Sequence, residues 1–114
     1  MKAEELRIGN LVTLSGSLIL TVYEIHEDCF YSKDAKGNSF KNTWADLQPI
    51  PLSEEVQTKL HNTDGNAIAF TDKCIIIYAL HNREWWFSLE ENPYLHQVQN
   101  LYYSIMKEEL EVSL

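Results

Sequence analysis

Four apolar side chains near the end of the chain recur at helical spacing. Leu95, Val98, Tyr102 and Ile105 follow one another at intervals of 3, 4 and 3, with Leu101 beside them. Only an α-helix puts such residues on one stripe, and a stripe of that kind is stable only when it is covered. The chain must therefore supply a surface for this helix to lie on. Asn92 is expected to cap the helix and Pro93 to occupy its first turn, where the missing N–H costs nothing. The helix is expected to run from Tyr94 to Glu109.

The surface is expected from the three runs just before it. Ala67 to Thr71, Cys74 to Leu80 and Glu84 to Leu89 are rich in β-branched and aromatic residues, which favour a pleated, half-buried sheet. Connectors of two or three residues between them imply an antiparallel meander. Cys74-Ile75-Ile76-Ile77-Tyr78 is apolar at every position, as suits a central strand. Ile76 and Trp86 are the candidates for its buried face. Ser53 is a good N-cap for a short helix ahead of the meander. Glu54 and Glu55 fall in its first turn, and Val56 and Leu60 share a stripe before it ends near His61-Asn62.

The first fifty residues read differently. Leu11-Val12-Thr13-Leu14, Leu18 to His26, Cys29 to Ser32 and Ser39 to Thr43 are short strand-like runs. Ser15-Gly16-Ser17 and Asp34-Ala35-Lys36-Gly37-Asn38 are turn signals between them. Ala45 to Leu52 is extended, because Pro49 and Pro51 disfavour helix before them. A strongly bent antiparallel sheet of four or five strands follows, in the pattern of an SH3-like barrel. The fold class is thus α+β: an SH3-like β lobe over 1–51, then an α+β lobe over 52–114. No linker-like stretch separates them, so they are expected to be two lobes of one domain.

Three segments together carry a family resemblance. They are Glu5-Leu6-Arg7-Ile8-Gly9-Asn10-Leu11-Val12, Leu47 to Glu55 around Pro49-Ile50-Pro51-Leu52, and Tyr94-Leu95-His96-Gln97-Val98-Gln99-Asn100-Leu101-Tyr102-Tyr103. Their order resembles a family of small proteins common in Bacteroidetes genomes, often in phage-like or mobile regions. Members of that family often have an aromatic where this chain has Leu11, and Leu where it has Val98. The resemblance implies a bacterial or phage cytoplasmic setting and transfers no catalytic residue.

Charge narrows the functions further. The 114 residues hold 9 basic and 17 acidic side chains, a formal net charge of -8. Residues 1–57 carry five Lys/Arg against nine Asp/Glu, and 58–114 carry four against eight, so neither half is a basic arm. Duplex binding rests largely on cations that neutralise phosphates, which disfavours nucleic acid as a general partner. Lys33, Lys36 and Lys41 form the one local basic group. No apolar run reaches the length of about 20 residues that spans a bilayer, and the acidic start lacks a signal-peptide core, so a cytoplasmic protein with no membrane association is expected.

Chemistry-bearing motifs are sparse. There is no Gly-rich phosphate loop, no G-x-S-x-G and no H-E-x-x-H, so no cofactor is expected. His26 and Cys29 lie three apart, but Cys74, His61, His81 and His96 are in no metal-ligand spacing. Cys29 and Cys74 are expected to be free, buried thiols. A nucleophilic pair of Cys74 with His81 or His96 is disfavoured by the apolar strand around the thiol.

Interaction surfaces are the better candidates. Trp85, Trp86 and Phe87 are consecutive on a strand and so alternate between its faces. An uncovered Trp85/Phe87 pair would make an apolar patch suited to a protein partner, including a second copy of the chain. Tyr23, Tyr31 and Trp44 are expected to line a peptide groove on the SH3-like lobe. His96, Asn100, Tyr103 and Lys107 recur on the polar face of the last helix and offer hydrogen-bonding groups. The expected function is a non-catalytic protein-interaction module. An acidic mimic of nucleic acid and a small hydrolase or ligand-binding protein are the other two classes.

Overall fold

The computed structural model describes residues 5–14, 18–61, 68–79 and 83–114. The chain divides into two compact units, residues 1–50 and 51–114. Both are built from short strands, and helices occur mainly in the second, so the fold is mixed α+β.

The first unit is a curled antiparallel sheet of five strands: β1 (Leu11–Leu14), β2 (Leu18–Ile25), β3 (Cys29–Lys33), β4 (Ser39–Thr43) and β5 (Leu47–Gln48). Their order is β4-β3-β2-β1-β5, so three successive strands each pair with their predecessor and β5 then returns to β1. The inner face follows from the register. Val22, Ser32 and Phe40 stand opposite one another, as do Ile25, Phe30 and Asn42. Val12, Leu20, Val22 and Phe30 are fully buried there, with Leu6 and Leu47 closing the cluster. The two buried polar side chains on this face satisfy each other, Ser32 Oγ donating to Asn42 Oδ1 at 3.1 Å. A buried polar pair costs little once it is hydrogen-bonded.

Turn chemistry explains the β3–β4 hairpin. Gly37 has φ +87, a conformation that glycine adopts without strain. Asp34 holds the loop from inside, accepting the Lys36 N–H at 2.9 Å and the Asn38 N–H at 2.8 Å. The Ala45–Leu52 segment, expected to be extended, instead begins with a 3-10 turn at Trp44–Asp46. The Asp46 carboxylate accepts the Thr43 hydroxyl at 2.9 Å and starts that turn, a local bond that strand-like spacing does not disclose.

The second unit begins with α1 (Glu54–Thr58), capped by Ser53 as expected. The helix ends three residues early. Leu60 belongs to β6 (Leu60–His61), not to the helical stripe, because it pairs with β10 (Glu111–Val112) from the far end of the chain. The meander follows as β7 (Ile68–Phe70), β8 (Cys74–Ala79) and β9 (Arg83–Ser88), with β8 in the centre. α2 (Leu95–Met106) packs against β8, and Leu95, Val98 and Tyr102 are fully buried.

The ends of α2 differ from expectation. Its N-cap is Tyr94, whose N–H is accepted by the Gln97 side chain at 3.0 Å. Asn92 and Pro93 are drawn off by other bonds: the Asn92 amide donates to the Ser88 carbonyl at 2.9 Å, and the Pro93 carbonyl accepts the Leu52 N–H at 2.8 Å. Lys107 turns left-handed at φ 59 and stops the helix before Glu108 and Glu109. Of the expected features, the Ser15–Ser17 connector, Asn62, Ala67, Leu80 and His81 lie outside the described residues.

Candidate functional site

β9 is an edge strand. Among the described residues it pairs only with β8, in the register Ile75–Phe87, Ile76–Trp86 and Ile77–Trp85. The three isoleucines of the central strand are buried, yet Trp85 is 45% exposed and Trp86 55% exposed. Adjacent strand residues point to opposite faces, so the two indoles stand out on either side of one edge. Of the two candidates for the buried face, Ile76 is buried and Trp86 is not, a correction to the expectation from sequence. A central strand is covered on both faces by its neighbours' side chains. An edge strand with the same apolar sequence is covered only as far as its neighbours reach.

Trp86 is held in place. Its Nε1 donates to Glu84 Oε2 at 3.1 Å, two residues along the same face. Beside it lies a shallow cavity of about 670 Å³, lined by Asp72, Lys73, Cys74, Phe87, Leu89 and Glu90 together with Trp86. Cys74 is half-buried here, and Cys29 is half-buried in the first unit. Both thiols are free, and neither is as deep as the sequence implied. Phe87 is half-buried against Ile75, so the exposed pair is Trp85 with Trp86, not Trp85 with Phe87.

The polar face expected on α2 is only partly outside. His96 is 3% exposed and Gln99 2%, so the buried arc is wider than the apolar stripe. The His96 ring lies parallel to Tyr94 at 6.0 Å between centroids. Asn100 is half-buried, Tyr103 is exposed, and Lys107 is the residue that ends the helix. These four residues do not form one accessible surface. A helix lying on a sheet is covered over more than its apolar stripe, and spacing does not reveal how far that cover extends.

On the first unit, Tyr23 and Tyr31 come together on the outer face of the sheet, ring centroids 6.2 Å apart. Trp44 does not join them. Its ring packs 5.1 Å from Phe30 beside the core, and its Nε1 donates to the Glu27 carbonyl at 3.1 Å. The expected groove of Tyr23, Tyr31 and Trp44 is thus divided between the two faces. In its place His26 stands edge-on to Tyr31 at 5.5 Å, and the Lys33 Nζ lies 4.7 Å above the Tyr23 ring. Neither His26 nor Lys33 was foreseen as a partner of these rings. Alternation from Thr21 already puts Tyr23 on this face; a β-bulge between Val22 and Glu24 adds Glu24 to it, across from Tyr31, and alternation does not reveal that.

Among the described residues, no group of three or more His, Cys, Asp or Glu side chains is placed to hold a metal ion. Also among them, no helix is long and apolar enough to cross a membrane. No protein-family model, curated protein or solved structure matches the chain.

Proposed function

We propose that this chain is a non-catalytic protein-interaction module of a bacterial or phage-derived element, acting in the cytoplasm, and that it meets its partner through the β9 edge. The observation that carries this reading is the pair of half-exposed indoles, Trp85 and Trp86, on a strand with no second neighbour among the described residues. Large aromatics dominate the energetics of protein contacts because one side chain removes much apolar area from water at small entropic cost. An edge strand adds a row of backbone donors and acceptors to which an extended segment can pair. The first unit, with its curled five-stranded sheet, is read as an SH3-like lobe by analogy of pattern.

The test compares wild type with Trp85→Ala and Trp86→Ala in recovery of partners from the source organism, with light scattering on the purified chain for self-association. A specific partner is expected to be retained by wild type and lost by at least one variant. Losses on truncating a central aromatic are commonly about 2 kcal/mol or more, roughly 30-fold in affinity. Equal recovery by all three forms, with all three monomeric, would remove the edge from the reading. A dimer that the substitutions dissolve would identify the partner as a second copy.

A further inference from the structure

The outer face of the first sheet carries a second surface, of different chemistry from the β9 edge. Cross-strand register assigns its rows. Thr21, Lys33 and Ser39 stand opposite one another, then Glu24, Tyr31 and Lys41, then Cys29 and Thr43. Tyr23 follows Thr21 on this face by alternation, and its hydroxyl is hydrogen-bonded to Ser39. The result is a run of three rings, Tyr23–Tyr31–His26, at 6.2 and 5.5 Å, with Lys33 over its first ring and Lys41 directly across from its second.

Lys33, Lys36 and Lys41, three of the nine basic residues, fall within residues 29–43 together with Asp34, and Glu24, Glu27 and Asp28 precede them. Asp34 is committed to its own turn, where it accepts bonds from Lys36 and Asn38. Glu24, across from Tyr31, lies 3.2 Å from His26 Nε2, an ion pair only when the imidazole is protonated. Lys33 and Lys41 face outward, Lys41 on the row that also holds Glu24, and neither forms an ion pair among the described residues. Both tyrosines are half-buried, which fixes their rings, while Lys33, Lys41 and His26 are exposed.

We propose that this face is a stacking platform for a short stretch of single-stranded nucleic acid. Bases stack on the tyrosine rings, and Lys33 and Lys41, with Lys36 at the hairpin tip, contact the phosphates. Proteins that hold single strands without strong sequence preference combine those two elements: exposed rings, which accept any base because every base has a π-face, and cations that follow the backbone. In the free protein Lys33 occupies the Tyr23 face that a base would take. Its flexible stem allows the ammonium to move aside to a phosphate. The -8 charge disfavours a duplex that needs an extended basic surface, and is compatible with a footprint of a few nucleotides.

Fluorescence anisotropy of a labelled 12-mer oligo(dT) and a 12-mer oligo(rU), titrated with the full chain at low salt, tests this. Binding is expected for the wild type, falling with salt at a slope of about -1.4 if two phosphates are neutralised. Tyr31→Ala is expected to weaken it by about 5- to 150-fold, the range for one lost base–aromatic stack. Lys33→Glu with Lys41→Glu keeps the rings, and is expected to weaken binding and flatten the salt dependence. Trp85→Ala is expected to bind like wild type, so this result stands or falls apart from the β9 proposal. Thermal melts confirm that each variant is folded. No binding by the wild type would overturn the proposal. So would equal binding of an abasic 12-mer, or tighter binding of the same sequence as a duplex.

Discussion

Asp34 shows how much one exposed side chain can organise. Its carboxylate accepts a bond from the Asn38 side chain at 2.9 Å and from the backbone N–H groups of Asn38 and Lys36. The Asn38 side-chain bond is the largest cause; with the backbone bonds and the Lys36 charge it outweighs the opposing effect of desolvation and holds the carboxyl below its ordinary value. Bonds that favour the charged form stabilise the fold only while the group is charged. The contribution is therefore complete at neutral pH, above the unfolded carboxyl's pKa, and is lost as pH falls through the lowered folded value. Asp34→Ala is expected to lower the melting temperature at pH 7, with the gap from wild type narrowing in acid. An unchanged gap from pH 7 to below the folded pKa would show that the carboxylate's charge has no part in holding the turn.

At the scale of elements, α2 is most informative at its end. Lys107 closes the helix at φ 59, with its N–H donating to the Tyr103 carbonyl at 2.9 Å. A left-handed residue with a Cβ costs about 1–2 kcal/mol, and glycine avoids that cost while losing some of the gain to unfolded-state entropy. Lys107→Gly is thus expected to stabilise the protein by about 0.5–1 kcal/mol in urea denaturation; destabilisation would mean that the lysine stem makes packing contacts that outweigh the strain. The same element shows how far spacing can be read. The positions of Leu95, Val98 and Tyr102 on the buried side were legible, because 3.6-residue periodicity is a local property. The burial of His96 and Gln99 was not, because the width of cover depends on what lies on the helix. The strand limits of β4 came out to the residue, since Gly37 and the 3-10 turn bound it on either side.

The whole molecule is acidic, with a sequence pI near 4.8. Net charge keeps copies apart, and the two exposed indoles of β9 favour bringing them together. As pH approaches 4.8 the repulsion vanishes while the apolar edge remains. Light scattering is expected to show association rising towards that pH in the wild type and less so in Trp86→Ala. Identical profiles would place the sticky surface elsewhere.

Alternation, turn residues and helical spacing are properties of neighbours in the chain. They determined the mixed α+β class, the hairpin at Gly37, the meander and the buried stripe of α2. Pairing between distant segments decided the rest. Leu60 left α1 for a strand because Val112 stands opposite it, 52 positions away. Trp86 is exposed because β9 has a neighbour on one side only among the described residues, and Glu24 stands across from Tyr31 because a bulge shifts one register. The local pattern sets which residues can share a face, but whether that face is covered depends on segments brought together only when the chain folds.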